Sequence, residues 1–173
     1  MLSRVRSVHT VLSIILCAAL VISCGSDPDE AVSPVAETYI LVIDWVLAEP
    51  QFAIEVEPDE LPVVFVESLG PADIELVVQV AVVGHFIDTA DIHFIDSRIE
   101  ALEEIEGAPV RDGGLLVGLG GVAVDGSADV RGEIYRTPES IVGYHFPIDR
   151  TGRKPVMTQP PTQVEPEGLV TDQ

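Results

Sequence analysis

The chain has 173 residues, 47% of them hydrophobic, with 29 acidic against 9 basic side chains and a formal charge of −20. That length fits one modest domain. A surface so acidic repels nucleic acid and anionic lipid head groups, which excludes nucleic-acid binding as a working role.

The N-terminus reads as targeting rather than fold. Arg4 and Arg6 precede the apolar run VLSIILCAALVIS from Val11 to Ser23, and no Asp or Glu occurs before Asp27. A cationic start followed by an apolar core too short to span a bilayer comfortably is the pattern of a secretory signal segment. Its end, Val21-Ile22-Ser23-Cys24, resembles the lipobox of bacterial lipoproteins.

The resemblance covers this segment alone. It implies a lipoprotein whose signal peptide, residues 1–23, is removed, leaving Cys24 with a diacylated thiol and an amine open to a further acyl chain such as palmitate. Two or more acyl chains hold a domain on a membrane stably. The expected place is the cell envelope, with the domain extracytoplasmic. An ordinary secreted protein cut nearby, or an uncleaved N-terminal anchor, are the alternatives. The sequence holds 2 cysteines, Cys17 and Cys24, so under the lipobox reading no thiol remains for a disulfide, a zinc site or a nucleophile.

After Cys24, residues 24–33 read as an acidic spacer, and 34–159 as a single α+β domain. Ser33 and Pro34 suit the N-cap and first position of a helix that must stop before Pro50. Val35, Tyr39, Val42 and Val46, broadened by Ile43 and Leu47, form its buried stripe. The acidic, proline-bounded stretch 56–62 is a loop leading into a strand over 63–67. From Asp73 to about Asp88, Ile74, Val78, Val82 and Phe86 recur every four residues, which predicts a second helix. The β-branched content leaves a strand ending near Val83 as the alternative.

Thr89 and Ala90 form a turn, followed by a strand over 91–96 with Ile92 and Phe94 on one side and His93 and Ile95 on the other. Ser97 and Glu100 have capping-box spacing, so a short helix up to Gly107 is expected, with a loop as the alternative. Strands follow over 114–124, 128–136 and 141–148. In the last two, Val130, Gly132, Ile134, Val142, Tyr144, Phe146 and Ile148 alternate with polar or small positions. A weak strand near 155–159 and a flexible tail over 160–173 complete the chain. The expected architecture is α+β, with N-terminal helices packed on one face of a curved antiparallel sheet, as in NTF2-like or cystatin-like folds by analogy alone.

Chemistry is sparse. The tetrapeptide His-Phe-Ile-Asp occurs twice, at 85–88 and 93–96. His85 and His93, with His145, are candidate metal ligands if the two copies fold as a hairpin around Thr89 and Ala90; otherwise they are exposed histidines at element ends. Glu133 and His145, with Arg131 and Tyr135 nearby on the polar face of adjacent strands, could form an acid/base pair or an ordinary surface ion pair. Gly118, Gly120 and Ala123 fit GxGxxA, but strand and turn continue where a dinucleotide site needs a helix. Residues 125–129 lack the ligands of a calcium loop.

No cofactor is expected. The reading that ranks first is a non-catalytic, lipid-anchored interaction or binding module, attached to membrane through its acyl chains and meeting an envelope protein or a small ligand. A small-ligand domain with an apolar pocket ranks second, and a hydrolase or isomerase using His145 with Glu133 or Tyr135 third.

Overall fold

The computed structural model describes residues 32–105, 107–122, 127–137 and 140–166. The signal segment, Cys24, nearly all of the spacer and residues 167–173 of the expected tail lie outside them.

Helix α1 spans Pro34–Ala48. Ser33 holds the N-cap position and Pro34 the first helical one, where a missing N–H removes no helical hydrogen bond. The Thr38 hydroxyl donates to the Pro34 carbonyl at 2.7 Å, so this buried polar group is satisfied. Backbone at Glu49 is already extended, as the approach to Pro50 requires.

Strand β1 is Val63–Ser68, helix α2 is Leu76–Phe86 and strand β2 is Asp91–Phe94. The β-branched run 77–83 is therefore helical: burying Val78, Val82 and Phe86 on one side outweighs the strand preference of valine. Strands β3 (Leu115–Leu119), β4 (Ser127–Tyr135), β5 (Val142–Asp149), β6 (Val156–Met157) and β7 (Thr162–Val164) follow. They form one curled sheet in the order β2-β1-β3-β4-β5-β6, with β7 also on β5.

The fold is α+β as expected, but the sheet is mixed rather than antiparallel. Strand β1 runs parallel to both β2 and β3, while β3-β4, β4-β5, β5-β6 and β5-β7 are antiparallel. The cause is α2, which returns the chain to the starting edge of β1, as parallel pairing demands. Residues 95–114 make the second return. The helix expected up to Gly107 is here a single 3-10 turn, Arg98–Ala101, with Ser97 N–H donating to the Glu100 carboxylate at 3.0 Å as the capping box requires. Leu102 then bridges Val110 around Gly107 and Ala108, whose positive φ values of 86° and 31° end any helix there.

Both helices cover one face of the sheet, where Val64, Val66, Leu115, Val117, Leu119, Val130, Ile134, Phe146 and Ile148 join the α1 and α2 stripes in the main core. On the opposite face the 95–114 strap closes a smaller core of Phe65, Leu116 and Tyr135 with Ala101 and Val110. Strand β3 is thus buried on both sides, which explains its unbroken apolar run. The stretch expected as a tail contributes β7, and Gly143 admits it closely: a Cβ there would lie 3.0 Å from the Val164 carbonyl oxygen.

Candidate functional site

The polar face singled out from the sequence exists, with different partners. Across the sheet, Glu67 lies opposite Gly118, Gly118 opposite Glu133, and Glu133 opposite Gly143. Glu133 therefore stands between two glycines, with Arg131 and Tyr135 two residues either way on the same face. Into this space the strap sends Arg98, whose Nε donates to Glu67 Oε1 at 2.8 Å and whose Nη2 lies 3.8 Å from Glu133 Oε2. Arg131 Nη2 donates to Glu133 Oε1 at 3.1 Å and to the Glu165 carbonyl at 3.2 Å. Two carboxylates and two guanidinium groups alternate in a nearly dry network, so each charge is met by its opposite.

Tyr135 is tied down too. Its hydroxyl donates to the Ala108 carbonyl at 3.1 Å, and its ring lies 5.9 Å from the Arg98 guanidinium carbon. Burial pushes its phenol pKa up, an effect Arg98 partly opposes. His145, by contrast, is exposed, with Arg131 and Thr162 as its cross-strand neighbours. In place of the acid/base pair or surface ion pair weighed for Glu133 and His145, Glu133 is held between Arg98 and Arg131. What these groups do together is fasten the strap to the sheet.

Glu67 and Arg98 escaped the sequence reading. Glu67 ends an apolar strand and gives no sign of a partner 31 residues away, because the strap that delivers Arg98 has no periodic pattern.

The two His-Phe-Ile-Asp copies do not form a hairpin. The first lies at the end of α2, where His85 Nε2 is 3.6 Å from Asp44 of α1; the second runs along β2, where His93 Nε2 is 3.0 Å from Asp91 and the ring stacks on Phe65. Each histidine meets a different carboxylate, and among the described residues no group of three His, Cys, Asp or Glu side chains could hold a metal. Gly118 belongs to β3, residues 120–122 are loop and β4 begins at Ser127, so among the described residues no phosphate-binding helix follows the GxGxxA match, whose Ala123 lies outside them.

The cavities range from small to wide and open. One of about 130 Å³ lies at the carboxyl ends of β1 and β2, lined by Ser68, Asp73, Gln79, Phe94 and Asp96. It is smaller than the roughly 300 Å³ at which drug-sized ligand sites begin. An open groove of about 940 Å³ crosses the strap past Ile99, Leu102 and Arg111, rimmed by Glu100, Glu103 and Glu104.

The outer side of α2 is the most unusual surface. Its inner side buries Val78, Val82 and Phe86, yet the outer side is also apolar, with Leu76, Val80 and Ile87 exposed to 73%, 63% and 68%, beside Val77, Val83 and Gly84. Gln79 and His85 aside, this helix is apolar on both sides, and Leu76, Val80, Val83 and Ile87 form an uncovered apolar stripe on the outer one. No described helix is long and apolar enough to cross a membrane. No family model matches the chain, and neither a curated protein nor a solved structure matches it.

Proposed function

We propose that this chain is a lipid-anchored, extracytoplasmic interaction module without catalytic activity, held at the membrane through acyl chains on Cys24. The observation that carries it is the uncovered apolar side of α2, facing away from the sheet that packs its other side. In support stands the polar face, where Glu133 and Tyr135 are spent on fastening the strap. Helices on one face of a curled sheet support the NTF2-like or cystatin-like analogy as a likeness of layering; the parallel β1-β2 and β1-β3 pairs depart from it. The small-ligand reading has the groove over the strap in its favour, but that groove is open and rimmed by acids, so it ranks behind.

The test compares the full chain with two variants, Cys24→Ser and the pair Val80→Glu with Val83→Glu, in a bacterial host. The parent chain incorporates a palmitate analogue, fractionates with membranes and migrates in a complex larger than one chain after mild solubilisation. Cys24→Ser loses the label and the membrane fraction, whereas the glutamate pair keeps both but migrates as a single chain. A parent chain that is unlabelled, or always single, sinks the proposal.

A further inference from the structure

Resting on that reading, we infer that the partner of the α2 surface is a second copy of this chain, the two helices packing antiparallel about a two-fold axis. Leu76, Val80, Val83 and Ile87 are spaced four, three and four, the seam spacing of paired helices. This seam is separate from Val78, Val82 and Phe86, which are used within the domain. Its spacing reads the same from either end. An antiparallel partner with the axis between Val80 and Val83 sets Leu76 of one copy against Ile87 of the other, and Val80 against Val83. A two-fold interface requires this self-complementarity.

Gly84 supplies an independent argument. It is exposed in the last turns of α2, its φ is not positive, and a Cβ built there would meet nothing within 4 Å. Helical glycine is destabilising relative to alanine, so the isolated fold has no use for it. Close approach of a second helix backbone beside Val80 and Val83 does.

Charge points the same way. From Leu76 to Ile87 there is no Asp, Glu, Lys or Arg, in a chain of formal charge −20. Two acidic copies can meet across this window with carboxylates facing only at its two ends, where Glu75 of one copy stands opposite Asp88 of the other, whereas a basic partner would be drawn to the acidic surfaces instead. The pair is weak in free solution, because an 11-residue helix is about 16 Å long and covers less than the roughly 800 Å² per partner of a standard interface. Confinement on a membrane raises the effective concentration and populates it.

The test places the photo-crosslinker p-benzoylphenylalanine at Val83 in the full chain in its host envelope, with Val156, exposed on β6, as the comparison site. The expected product has twice the chain mass, with linked peptides from α2 of both copies. Gly84→Leu lowers its yield roughly tenfold while leaving the circular dichroism unchanged, since position 84 has no neighbour to clash with in one copy. Should that variant misfold, Val80→Glu at an exposed site makes the same test. Association of the solubilised chain strengthens from about 0.05 M to about 0.5 M salt as like-charge repulsion is screened. An adduct with lipid or with a different protein overturns the homodimer and leaves the interaction reading standing. No adduct beyond that from Val156 overturns both.

Discussion

Glu67 and Glu133 point to the same side of the sheet across Gly118, and a single guanidinium, that of Arg98, stands between them. The bridging residue comes from the strap, so the network is a fastening between two layers. Removing it leaves Glu67 buried without its cation, whereas Glu133 keeps Arg131. Arg98→Met is therefore expected to lower stability by roughly 3 kcal/mol in urea unfolding. Adding Glu67→Gln to Arg98→Met recovers part of that loss, giving a coupling energy of about 1 kcal/mol or more in the double-mutant cycle. Additive losses would show that the two side chains do not act together.

Two glycines should respond to alanine with opposite signs. In β4, a Cβ at Gly132 would lie 2.8 Å from the Phe146 ring, inside the main core. Phe146 is fully buried and cannot retreat, so Gly132→Ala is expected to cost about 1–3 kcal/mol through overpacking. At Gly84 the added methyl meets nothing and relieves the helix of a flexible residue, so Gly84→Ala is expected to gain about 0.5–1 kcal/mol in a single copy. Urea melts of the two variants at low protein concentration decide both signs.

What could be read from the sequence was whatever periodicity controls. The α1 stripe, the four-residue recurrence of Val78, Val82 and Phe86, and the two-residue alternation in β4 and β5 all follow from burying one side of a regular element. Strand direction was not legible, because pairing of β1 with β2 and β3 depends on where α2 and the strap return the chain. Glu133, Arg131 and Tyr135 were found on one face by alternation, yet their partners Arg98 and Ala108 come from a strap without periodicity. The outer seam of α2 was hidden for a different reason: in a run so rich in valine, the inner spacing claims the helix and the second spacing passes unnoticed.

Trp45 reports on the meeting of α1 with β5. Its ring lies 5.1 Å from Tyr144 and 5.3 Å from Phe146, both edge-on, with Phe52 at 6.3 Å. Phe146→Ala removes the fully buried ring of this group and opens a cavity under α1. The expected cost is about 3–5 kcal/mol, with a shift in the fluorescence of the single tryptophan before denaturant is added. An unchanged emission spectrum would mean that Trp45 is not packed on this ring.

Alkaline pH should loosen the fold through two tyrosines. Tyr39 is buried with its hydroxyl donating to the Gly120 carbonyl at 3.2 Å, and burial raises its pKa; Tyr135 is raised by burial against a smaller opposing effect of Arg98. An unfolded tyrosine releases its proton near pH 10, whereas these two hold theirs to higher pH while the chain is folded. Below about pH 10 both states are protonated and the stabilisation is complete. As pH rises past that point the unfolded chain gives up protons the folded chain retains, so stability falls until the folded phenols ionise as well. Urea midpoints measured from about pH 8 to pH 11 should drop over this window for the parent chain. The Tyr39→Phe, Tyr135→Phe double variant has no phenol at either site and should lose stability less steeply. An equally steep fall in the double variant would assign the alkaline loss to other groups.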